Sequence, residues 1–194
     1  MITAIILAAG FSRRFKEEKL LIKLNNKPLI SYVVETVVNI GFEEIILVYR
    51  NKNVKRIIEN HDIKYAYNEM SSKGMSSSLR CGLKESSNTD GYMFINGDQP
   101  FLTISTIKTL IKNFHERNES IIVPRYNGKR GNPVMFSSKW KEELMNVTGD
   151  IGGRNIIKNN PNDVYYVDIA KNICGMDIDT WEDYLTIKEL MDNE

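Results

Sequence analysis

Residues 1–21 read MITAIILAAGFSRRFKEEKLL, and this stretch decides the fold. Thr3–Leu7 are an apolar, partly β-branched run without polar alternation, which is typical of a strand buried on both faces of a parallel sheet. The run ends in Ala8, Ala9 and Gly10, whose small side chains leave room for a ligand to approach the backbone. The stretch therefore predicts a strand buried on both faces, followed by a turn whose backbone a ligand could approach.

The segment after this strand is strongly basic. It carries one hydroxyl and four cations within eight residues: Ser12, Arg13, Arg14, Lys16 and Lys19. Backbone N–H groups, a guanidinium and a lysine charge are the groups that bind a polyphosphate. A solvated basic loop at the end of a strand explains the same residues equally well. The segment alone leaves both interpretations open.

Composition limits the class of protein. The chain has 194 residues, 42% of them hydrophobic and 26% charged, which suffices for one sizeable core, and we expect a single domain over residues 1–194. The net charge of +1 gives no electrostatic reason to expect nucleic acid or a membrane surface as partner. Cys81 and Cys174 make neither a disulfide framework nor a metal motif. Because no segment approaches the roughly 20 apolar residues that cross a bilayer, we expect a cytoplasmic protein.

Short apolar blocks alternate with segments of helical periodicity along the chain. Strands are predicted at 3–7, 45–49, 63–67, 92–95, 121–123, 133–136 and 164–167. Helices are predicted at 28–38, 54–60, 76–87, 103–114, around 140–145, through 156–157 and from 180. This alternation predicts an α/β fold with a mostly parallel, doubly wound sheet, in which ligands bind outside the carboxyl ends of the strands.

Some finer expectations depend on single residues. Ile57 and Ile58 should face inward from their helix, and Pro124 should end its strand. Thr180 and Asp183 have the spacing of a variant capping box at the start of the last helix. That helix is expected to bury Tyr184, Leu185, Ile187 and Leu190.

Carboxylates follow two predicted turns. Asp98 comes directly after a buried strand and is held between Gly97 and a Gln-Pro pair, so its direction is fixed. Mg²⁺ usually takes one or two carboxylates, waters and substrate phosphate oxygens, and a lone Asp suits it. An Asp that accepts N–H bonds within a turn is an equally good explanation. Asp177 and Asp179 point to the same side if their segment is extended, but acidic residues also favour a helix start.

Two polar stretches have a binding and a structural explanation each. Ser76–Ser78 could contact a base or ribose, or could cap the helix that they begin. Arg130–Pro133 could contact a second substrate, or could form only a turn. Other chemistries are excluded by missing motifs: there is no Gly-x-Gly-x-x-Gly, no Gly-Lys-Ser/Thr phosphate loop and no Ser-His-acid elbow.

Taken together, the motifs resemble those of nucleotidyltransferases that share the molybdopterin-nucleotide transferase fold, and most of all the molybdenum cofactor cytidylyltransferases. The likeness starts with Leu7–Arg14 and Lys19, which resemble the LAAG-x-S-x-R…K signature. It continues, in the order of the family, through Lys19–Leu21, Gly74–Leu79, Gly97–Pro100, Arg130–Phe136, Gly149–Arg154 and Asp177–Thr180. Each motif is weak alone, but together they cover nearly the whole chain.

The resemblance implies a Rossmann-like, three-layer fold of the nucleotide-diphospho-sugar transferase type. It implies CMP transfer from CTP to molybdopterin with Mg²⁺, which gives molybdopterin cytosine dinucleotide and pyrophosphate for the molybdenum hydroxylases. The implied partners are CTP and molybdopterin, and a hydroxylase apoprotein or its chaperone. Neither nucleic acid nor membrane is expected.

The resemblance also implies roles for individual residues. Arg14, Lys19 and Asp98 are implied to be catalytic, and Asp98 and Asp179 to bind the metal, with Asp177 as the alternative second ligand. The implied nucleotide-binding residues are Leu7, Ala8, Ala9, Gly10, Ser12, Arg14, Lys19, Asn68, Ser77, Ser78 and Gly97. The implied acceptor-binding residues are Gln99, Arg130, Gly131, Asn132, Pro133 and Asp150.

Two departures from the family pattern stand out. Lys16 replaces a usual Gly in the basic segment, and Trp181 replaces a usual Pro and should matter only to the start of the last helix. Competing hypotheses are a related transferase with another phosphorylated acceptor, such as a sugar phosphate, and a non-catalytic chaperone that inserts the cofactor. A guanylyltransferase fits less well, because that branch typically has Leu-Ala-Gly-Gly where this chain has Leu-Ala-Ala-Gly.

Overall fold

Strands and helices alternate along the computed structural model, which describes residues 1–12, 14–15, 17–117, 120–170 and 172–192. The strands are β1 (Ile2–Ala8), β2 (Lys23–Leu24), β3 (Lys27–Pro28), β4 (Glu44–Tyr49), β5 (Lys64–Tyr67), β6 (Gly91–Asn96), β7 (Ile121–Tyr126), β8 (Lys129–Arg130), β9 (Val134–Ser137) and β10 (Val164–Ile169). The helices are α1 (Leu29–Val38), α2 (Lys52–Ile58), α3 (Met75–Glu85), α4 (Ile104–Glu116), α5 (Lys141–Asn146), α6 (Arg154–Asn159) and α7 (Trp181–Asp192).

One mixed sheet organises the described residues. Its strand order is β10-β7-β9-β6-β1-β4-β5, with the short β8 paired to β7, while β2 and β3 form a separate hairpin. β9 runs antiparallel to β6 and β7, β8 runs antiparallel to β7, and the other pairs in this sheet are parallel. The register places Leu7 beside Asn96 and Ala8 beside Tyr49. The carboxyl ends of β6, β1 and β4 therefore meet at one edge of the sheet.

Helices cover both faces of this sheet, which confirms the predicted three-layer α/β architecture. One hydrophobic cluster packs α1, α2, α4 and α7 against the sheet, and the other packs α3, α5 and α6 against its opposite face. The first strand takes part in both, because Ile6 belongs to one cluster and Ile5 to the other, and both side chains are fully buried. The continuous apolar run of β1 is explained by this burial on two faces.

The expectation that Pro124 ends its strand was wrong, since β7 continues to Tyr126. Antiparallel pairing with β9 stops at Ile122, so the missing N–H of Pro124 breaks no bond of that ladder. The Pro124 carbonyl accepts a hydrogen bond from the Gly131 N–H at 3.0 Å on this side. The other edge of β7 pairs with β10 through the whole strand, because that edge needs no donor from the proline.

Some predicted inward faces also needed correction. In α2 the buried residues are Val54 and Ile58, and Ile57 is 40% exposed because the helix turns it away from that face. In α7 only Ile187 is buried among the described residues, and Leu185 and Leu190 are exposed. The buried stripe of α7 is narrow, since the helix lies at the margin of the core and packs on it through Tyr184, Ile187 and Met191.

No helix among the residues that the structure describes combines the length and apolar character needed to cross a membrane.

Candidate active site

The edge where β1 and β6 end opens into a cleft of about 1080 Å³. The turn after β1 contributes Gly10, and the turn after β6 contributes Asp98. Predicted site residues that line this cleft are Leu7, Ala9, Gly10, Ser78, Asp98, Arg130, Gly131, Asn132, Asp150 and Asp179. The two stretches singled out by the sequence therefore share one cleft.

Lys19 connects the basic segment to the carboxylates. Its Nζ lies 2.6 Å from Asp98 Oδ2 and 3.1 Å from Asp179 Oδ1. Arg14 lies further out, with Nη1 3.7 Å from Asp179 Oδ2 and a side chain that is 70% exposed. Burial disfavours the charged form of Lys19, but Asp98 and Asp179 outweigh it and raise its pKa above the ordinary value. The ammonium therefore stays charged at neutral pH.

Asp177 is the most perturbed carboxyl group of the cleft. Burial raises its pKa to about 7, the nearby charges of Asp98 and Asp179 act in the same direction, and Lys19 and a hydrogen bond with Asn96 oppose them. Asp98 and Asp179 contact the Lys19 ammonium, and the Asp177 carboxyl group lies close enough to feel all three charges. Asp177 is therefore partly protonated near neutral pH, as expected for a carboxyl group held among other carboxylates.

Segment 177–179 is held against Asp98 by its backbone. The Ile178 N–H donates to the Asp98 carbonyl at 3.2 Å, and the Ile178 side chain is buried. Directly after it, Thr180 Oγ1 accepts from the Asp183 N–H at 3.1 Å, and the Asp183 carboxylate accepts from the Thr180 N–H at 2.7 Å. The predicted capping box is therefore present, and it fixes the direction from which Asp177 and Asp179 reach the cleft.

The donor set around Asp98 fits a hard divalent cation. Asp98 Oδ1 and Asp177 Oδ1 are buried oxygens with no hydrogen-bond partner among the described residues. Within the same part of the chain no three His, Cys, Asp or Glu side chains are grouped so as to hold a metal by themselves. Mg²⁺ does not require such a group, because it keeps several waters and takes oxygens from a substrate phosphate.

Ser12 organises the basic segment. Its Oγ accepts from the Lys19 N–H at 2.9 Å and donates to Glu18 Oε1 at 3.2 Å. The hydroxyl is thus already engaged within the segment, while Lys19 points to the carboxylates. Lys16, one of the two departures from the family pattern, lies outside the described residues, as does Arg13.

The serine side chains at the start of α3 form hydrogen bonds within the protein. Asn68 is buried, and its Nδ2 donates to Ser77 Oγ at 2.9 Å and to Ser78 Oγ at 3.1 Å. Ser77 Oγ in turn donates to the Gly74 carbonyl at 2.8 Å. Of the three polar residues Asn68, Ser77 and Ser78, only Ser78 lines the cleft. Asn68 and Ser77 therefore position the start of α3 from the side that faces away from the cleft.

Asp150 supplies the cap that the serines do not. Its Oδ1 accepts from the Met75 N–H at 2.8 Å, at the first residue of α3. The preceding Gly149 accepts from Ser76 through its carbonyl, by way of both the Ser76 N–H and the Ser76 hydroxyl. Gly74 makes this contact possible, because its φ is +87° and a Cβ there would lie 2.8 Å from the Gly149 oxygen. A carboxylate at this end of α3 also suits the helix dipole.

The predicted acceptor loop is a short hairpin between β7 and β9. Arg130, Gly131 and Asn132 line the cleft, whereas Pro133 is buried behind them after a cis peptide bond. Tyr126 holds the loop: its hydroxyl donates to the Asn132 carbonyl at 2.8 Å, and its ring packs where a Cβ on Gly131 would lie 2.6 Å away. Burial raises the pKa of the Tyr126 hydroxyl well above its ordinary value, so it remains a donor.

Ala8, Gly97 and Gln99 do not line the cleft. Ala8 is buried within the sheet, and the Gly97 N–H donates to the Leu7 carbonyl at 3.1 Å. A Cβ on Gly97 would lie 2.9 Å from Ile30 Cδ1, so this glycine lets the turn pack against α1. The Gln99 side chain is fully buried, and both polar atoms lack partners within the described ranges.

Sequence patterns missed several residues of this region. Arg50 and Glu18 join the basic segment to the end of β4. Lys73 and Lys158 add positive charge to the lining of the cleft, as does Arg154, which belongs to the Gly149–Arg154 motif that the resemblance had already marked. Arg50 and Asn96, which forms a hydrogen bond with Asp177, carried a usable signal, because each directly follows a predicted strand that pairs with β1.

Trp181 corrects a further expectation. Its ring centroid lies 5.0 Å from that of Phe15 in the basic segment and 5.3 Å from that of Tyr184. Because Phe15 is itself buried, this position does more than start α7: it packs that helix against the segment after β1.

Comparison with known proteins agrees with this geometry. Residues 4–164 match the family described as the MobA-like NTP transferase domain. A probable molybdenum cofactor guanylyltransferase from Natranaerobius thermophilus is 34% identical over 129 residues, which are 66% of this chain and 62% of that protein.

Solved structures show the same fold. A nucleotidyl transferase from Methanothermobacter thermautotroptrophicus has a TM-score of 0.87 at 21% identity, over 100% of this chain and 98% of that one. The manganese complex of Rv0371C from Mycobacterium tuberculosis H37Rv has a TM-score of 0.81 at 25% identity, over 97% and 98% of the two chains. Since the family match spans most of the sequence, and the cleft lies where its motifs converge, the chain belongs to the MobA-like NTP transferase family.

Proposed function

We propose that this protein is a Mg²⁺-dependent cytidylyltransferase that transfers CMP from CTP to the terminal phosphate of molybdopterin. The products are molybdopterin cytosine dinucleotide, for delivery to a molybdenum hydroxylase or its chaperone, and pyrophosphate. One observation carries the proposal: Lys19, from the segment after β1, lies 2.6 Å from Asp98, from the turn after β6. This contact supports the proposal, because it puts a cation suited to phosphate beside a carboxylate suited to a metal ion, at the edge of the cleft that Asp98 lines.

The reaction requires positioning and charge neutralisation rather than a protein nucleophile. A phosphate oxygen of the acceptor forms a bond with the α-phosphorus of CTP, and the bond between that phosphorus and the α–β bridging oxygen breaks. The electron pair leaves with pyrophosphate. Among the described residues of the basic segment, Arg14 and Lys19 lie beside Asp179, and we assign them to bind the departing phosphates and stabilise the charge that builds up there.

The proposed cation ligands are Asp98 and one of the two other carboxylates. Asp179 is the first choice for the second ligand, and Asp177 is supported by its buried oxygen without a partner among the described residues. The structurally similar Rv0371C, which was solved with manganese, supports a divalent cation in this fold. When bound, Mg²⁺ would neutralise the charge of the α-phosphate.

The nucleoside and the acceptor are proposed to occupy different walls of the cleft. The backbone from Leu7 to Gly10, together with Ser78, suits the nucleoside, because small side chains let a flat ring come close. The hairpin residues 130–132 suit the acceptor. Asp150 supports that side by fixing the loop 149–153 to α3.

Ala9 supports a pyrimidine base. It borders the cleft in the turn after β1, where it is 2% exposed and packs in the core, and it stands where the guanylyltransferases typically have a glycine. The relative from Natranaerobius is named as a guanylyltransferase, so GTP is the competing substrate. Ala9→Gly is expected to shift the ratio of CTP to GTP turnover towards GTP.

The test is pyrophosphate release from CTP and from GTP, each with and without molybdopterin. Release from CTP only when the pterin is present supports the proposal. Release from GTP and not from CTP would make GTP the nucleotide substrate. Release only with a sugar phosphate would make a sugar phosphate the acceptor. Tight binding of the finished dinucleotide without turnover of either nucleotide favours a cofactor-insertion chaperone.

Asp98→Ala is the variant that tests the site itself. We expect the turnover of this variant to fall by about a thousandfold or more, because the ligand that holds Mg²⁺ beside the α-phosphate is lost. Its circular dichroism should stay that of the wild type. Substantial Mg²⁺-dependent turnover in this variant would contradict the assignment of Asp98.

A further inference from the structure

A charged pair outside the predicted site closes the segment between β1 and β2. Arg50 directly follows β4, and β4 is the neighbour of β1 in the sheet, with Tyr49 beside Ala8. Because parallel strands end at the same edge, Arg50 emerges beside the turn at Gly10. Residues 10–19 are called the β1 loop below.

Arg50 contacts both ends of the β1 loop. Its Nε donates to the Gly10 carbonyl at 3.1 Å, and its Nη2 donates to Glu18 Oε2 at 2.5 Å. Its guanidinium also lies over the ring of Phe11, 4.4 Å from the centroid. One side chain therefore binds the first turn of the loop and the residue that precedes Lys19.

Glu18 completes the connection. Its carboxylate accepts hydrogen bonds from Asn51 at 3.3 Å and from Ser12 at 3.2 Å, in addition to Arg50. The Ser12 hydroxyl in turn accepts from the Lys19 N–H. The Glu18 side chain is only 10% exposed, so this pair is not an ordinary surface ion pair.

The sign of the Glu18 charge is informative. The β1 loop carries Arg13, Arg14, Lys16 and Lys19, and a carboxylate among them weakens their attraction for a polyphosphate. Electrostatics alone would therefore disfavour an acidic residue here. The hydrogen bonds that Glu18 forms with Ser12, after β1, and with Arg50 and Asn51, after β4, explain why an acidic residue stands here. Its role is to hold the loop in place, not to attract the ligand.

We propose that Arg50 and Glu18 are positioning residues that hold the described ends of the β1 loop, 10–12 and 18–19, together and so present Lys19 to a nucleoside triphosphate. The proposal rests on the proposed function for the identity of that ligand. It concerns residues that neither the motifs nor the comparisons assign.

The sharpest test is Glu18→Gln, because the two explanations predict opposite signs. Removal of a negative charge beside a triphosphate should tighten binding if charge alone matters. The proposal predicts that CTP binding with Mg²⁺, measured by isothermal titration calorimetry, becomes about tenfold weaker because the hold on Arg50 is lost. Equal or tighter binding overturns the proposal and leaves the transferase assignment standing.

The combined variant separates positioning from direct contact. Arg50→Met should weaken CTP binding, and Arg50→Met combined with Glu18→Gln should weaken it by less than the sum of the two single losses, because both residues act through one ion pair. Losses that add fully in the double variant overturn the proposal. Glu35→Gln is the matched control, since it breaks the pair between Lys27 of β3 and Glu35 of α1, which is also 2.5 Å long.

A second readout does not depend on any nucleotide. The basic residues of the β1 loop are trypsin sites, and their cleavage can be followed by mass spectrometry. Arg50→Met, which leaves the residues beside these sites unchanged, should be cut there several times faster than the wild type and Glu35→Gln, because local opening is easier. Equal cutting rates overturn the proposal, and a wild type that binds neither CTP nor GTP instead defeats the proposed function.

Discussion

Lys19 shows how one side chain can set the properties of a site. Its ammonium contacts Asp98 and Asp179, and these carboxylates raise its pKa while they lie close to a third, Asp177. A divalent cation at Asp98 must therefore compete with Lys19 for the charge of this carboxylate, whose Oδ2 contacts Lys19 and whose Oδ1 has no partner among the described residues. A triphosphate can relieve this competition, because it offers Lys19 other anionic partners.

The competition predicts the effect of Lys19→Met. In protein without nucleotide, we expect this variant to bind Mn²⁺ about tenfold more tightly than the wild type, as measured by electron paramagnetic resonance. The reason is that the ammonium about 3 Å from the Asp98 and Asp179 carboxylates has been removed. Lys23→Met, at an exposed position of β2, serves as the control. Unchanged or weaker Mn²⁺ binding would show that Lys19 and the cation do not share the carboxylates.

At the scale of elements, α3 connects the core to the cleft. Its middle packs directly on the sheet at Gly82, where a Cβ would lie 2.5 Å from Ile5 Cγ2 and 3.1 Å from Val48 Cγ2. Its first turn is fixed by Asp150, and Ser78 lies one turn further on at the cleft. The depth at which α3 sits on the sheet thus determines where its polar end lies.

Gly82→Ala tests this packing. Alanine favours a helix over glycine by about 1 kcal/mol, but here its methyl group must displace two stiff β-branched side chains. We expect a net loss of about 1–2 kcal/mol in the free energy of unfolding, measured by urea denaturation. Lys84→Ala, an exposed position on the same helix, should change it little. A more stable Gly82→Ala protein would mean that α3 does not approach the sheet this closely.

Across the whole molecule, Glu44 joins parts of the chain that are distant in sequence. Its carboxylate accepts from Thr3 at 2.9 Å, from Lys64 at 2.5 Å and from the Ser87 N–H at 3.0 Å. These residues belong to β1, to β5 and to the segment between α3 and β6. Burial raises the pKa of Glu44, but the hydrogen bonds from Lys64, Ser87 and Thr3 outweigh it and hold the pKa below its ordinary value.

A lowered pKa in the folded state gives a signed pH dependence. The ionised Glu44 stabilises the fold fully above its unfolded pKa of about 4.3, and this contribution is lost as the pH falls through the folded value. We expect Glu44→Gln to be less stable than the wild type at pH 6, and the difference to shrink in acid. Urea denaturation across this range measures it, with the exposed Glu142→Gln as control. A difference that stays constant with pH would contradict the role of this carboxylate.

Most of the local structure could be predicted from the amino-acid sequence alone. Apolar runs predicted the parallel strands, Thr180 and Asp183 predicted the cap of α7, and small residues marked the turn at Gly10. These features depend on neighbouring residues, because hydrophobic periodicity and turn chemistry act over a few positions. The same local signals placed Asp98 at the end of β6, although its use as a turn residue remained equally plausible.

Only the tertiary structure decided which distant groups meet. Lys19 and Asp179 are 160 residues apart in the sequence, but Nζ and Oδ1 lie 3.1 Å from each other. The residues around either one give no indication of this contact. The antiparallel insertion of β9, the capping of α3 by Asp150 and the joining of Arg50 to Glu18 are of the same kind. The physical reason is that such contacts follow from how the strands are ordered and the helices packed, and local patterns do not encode that order.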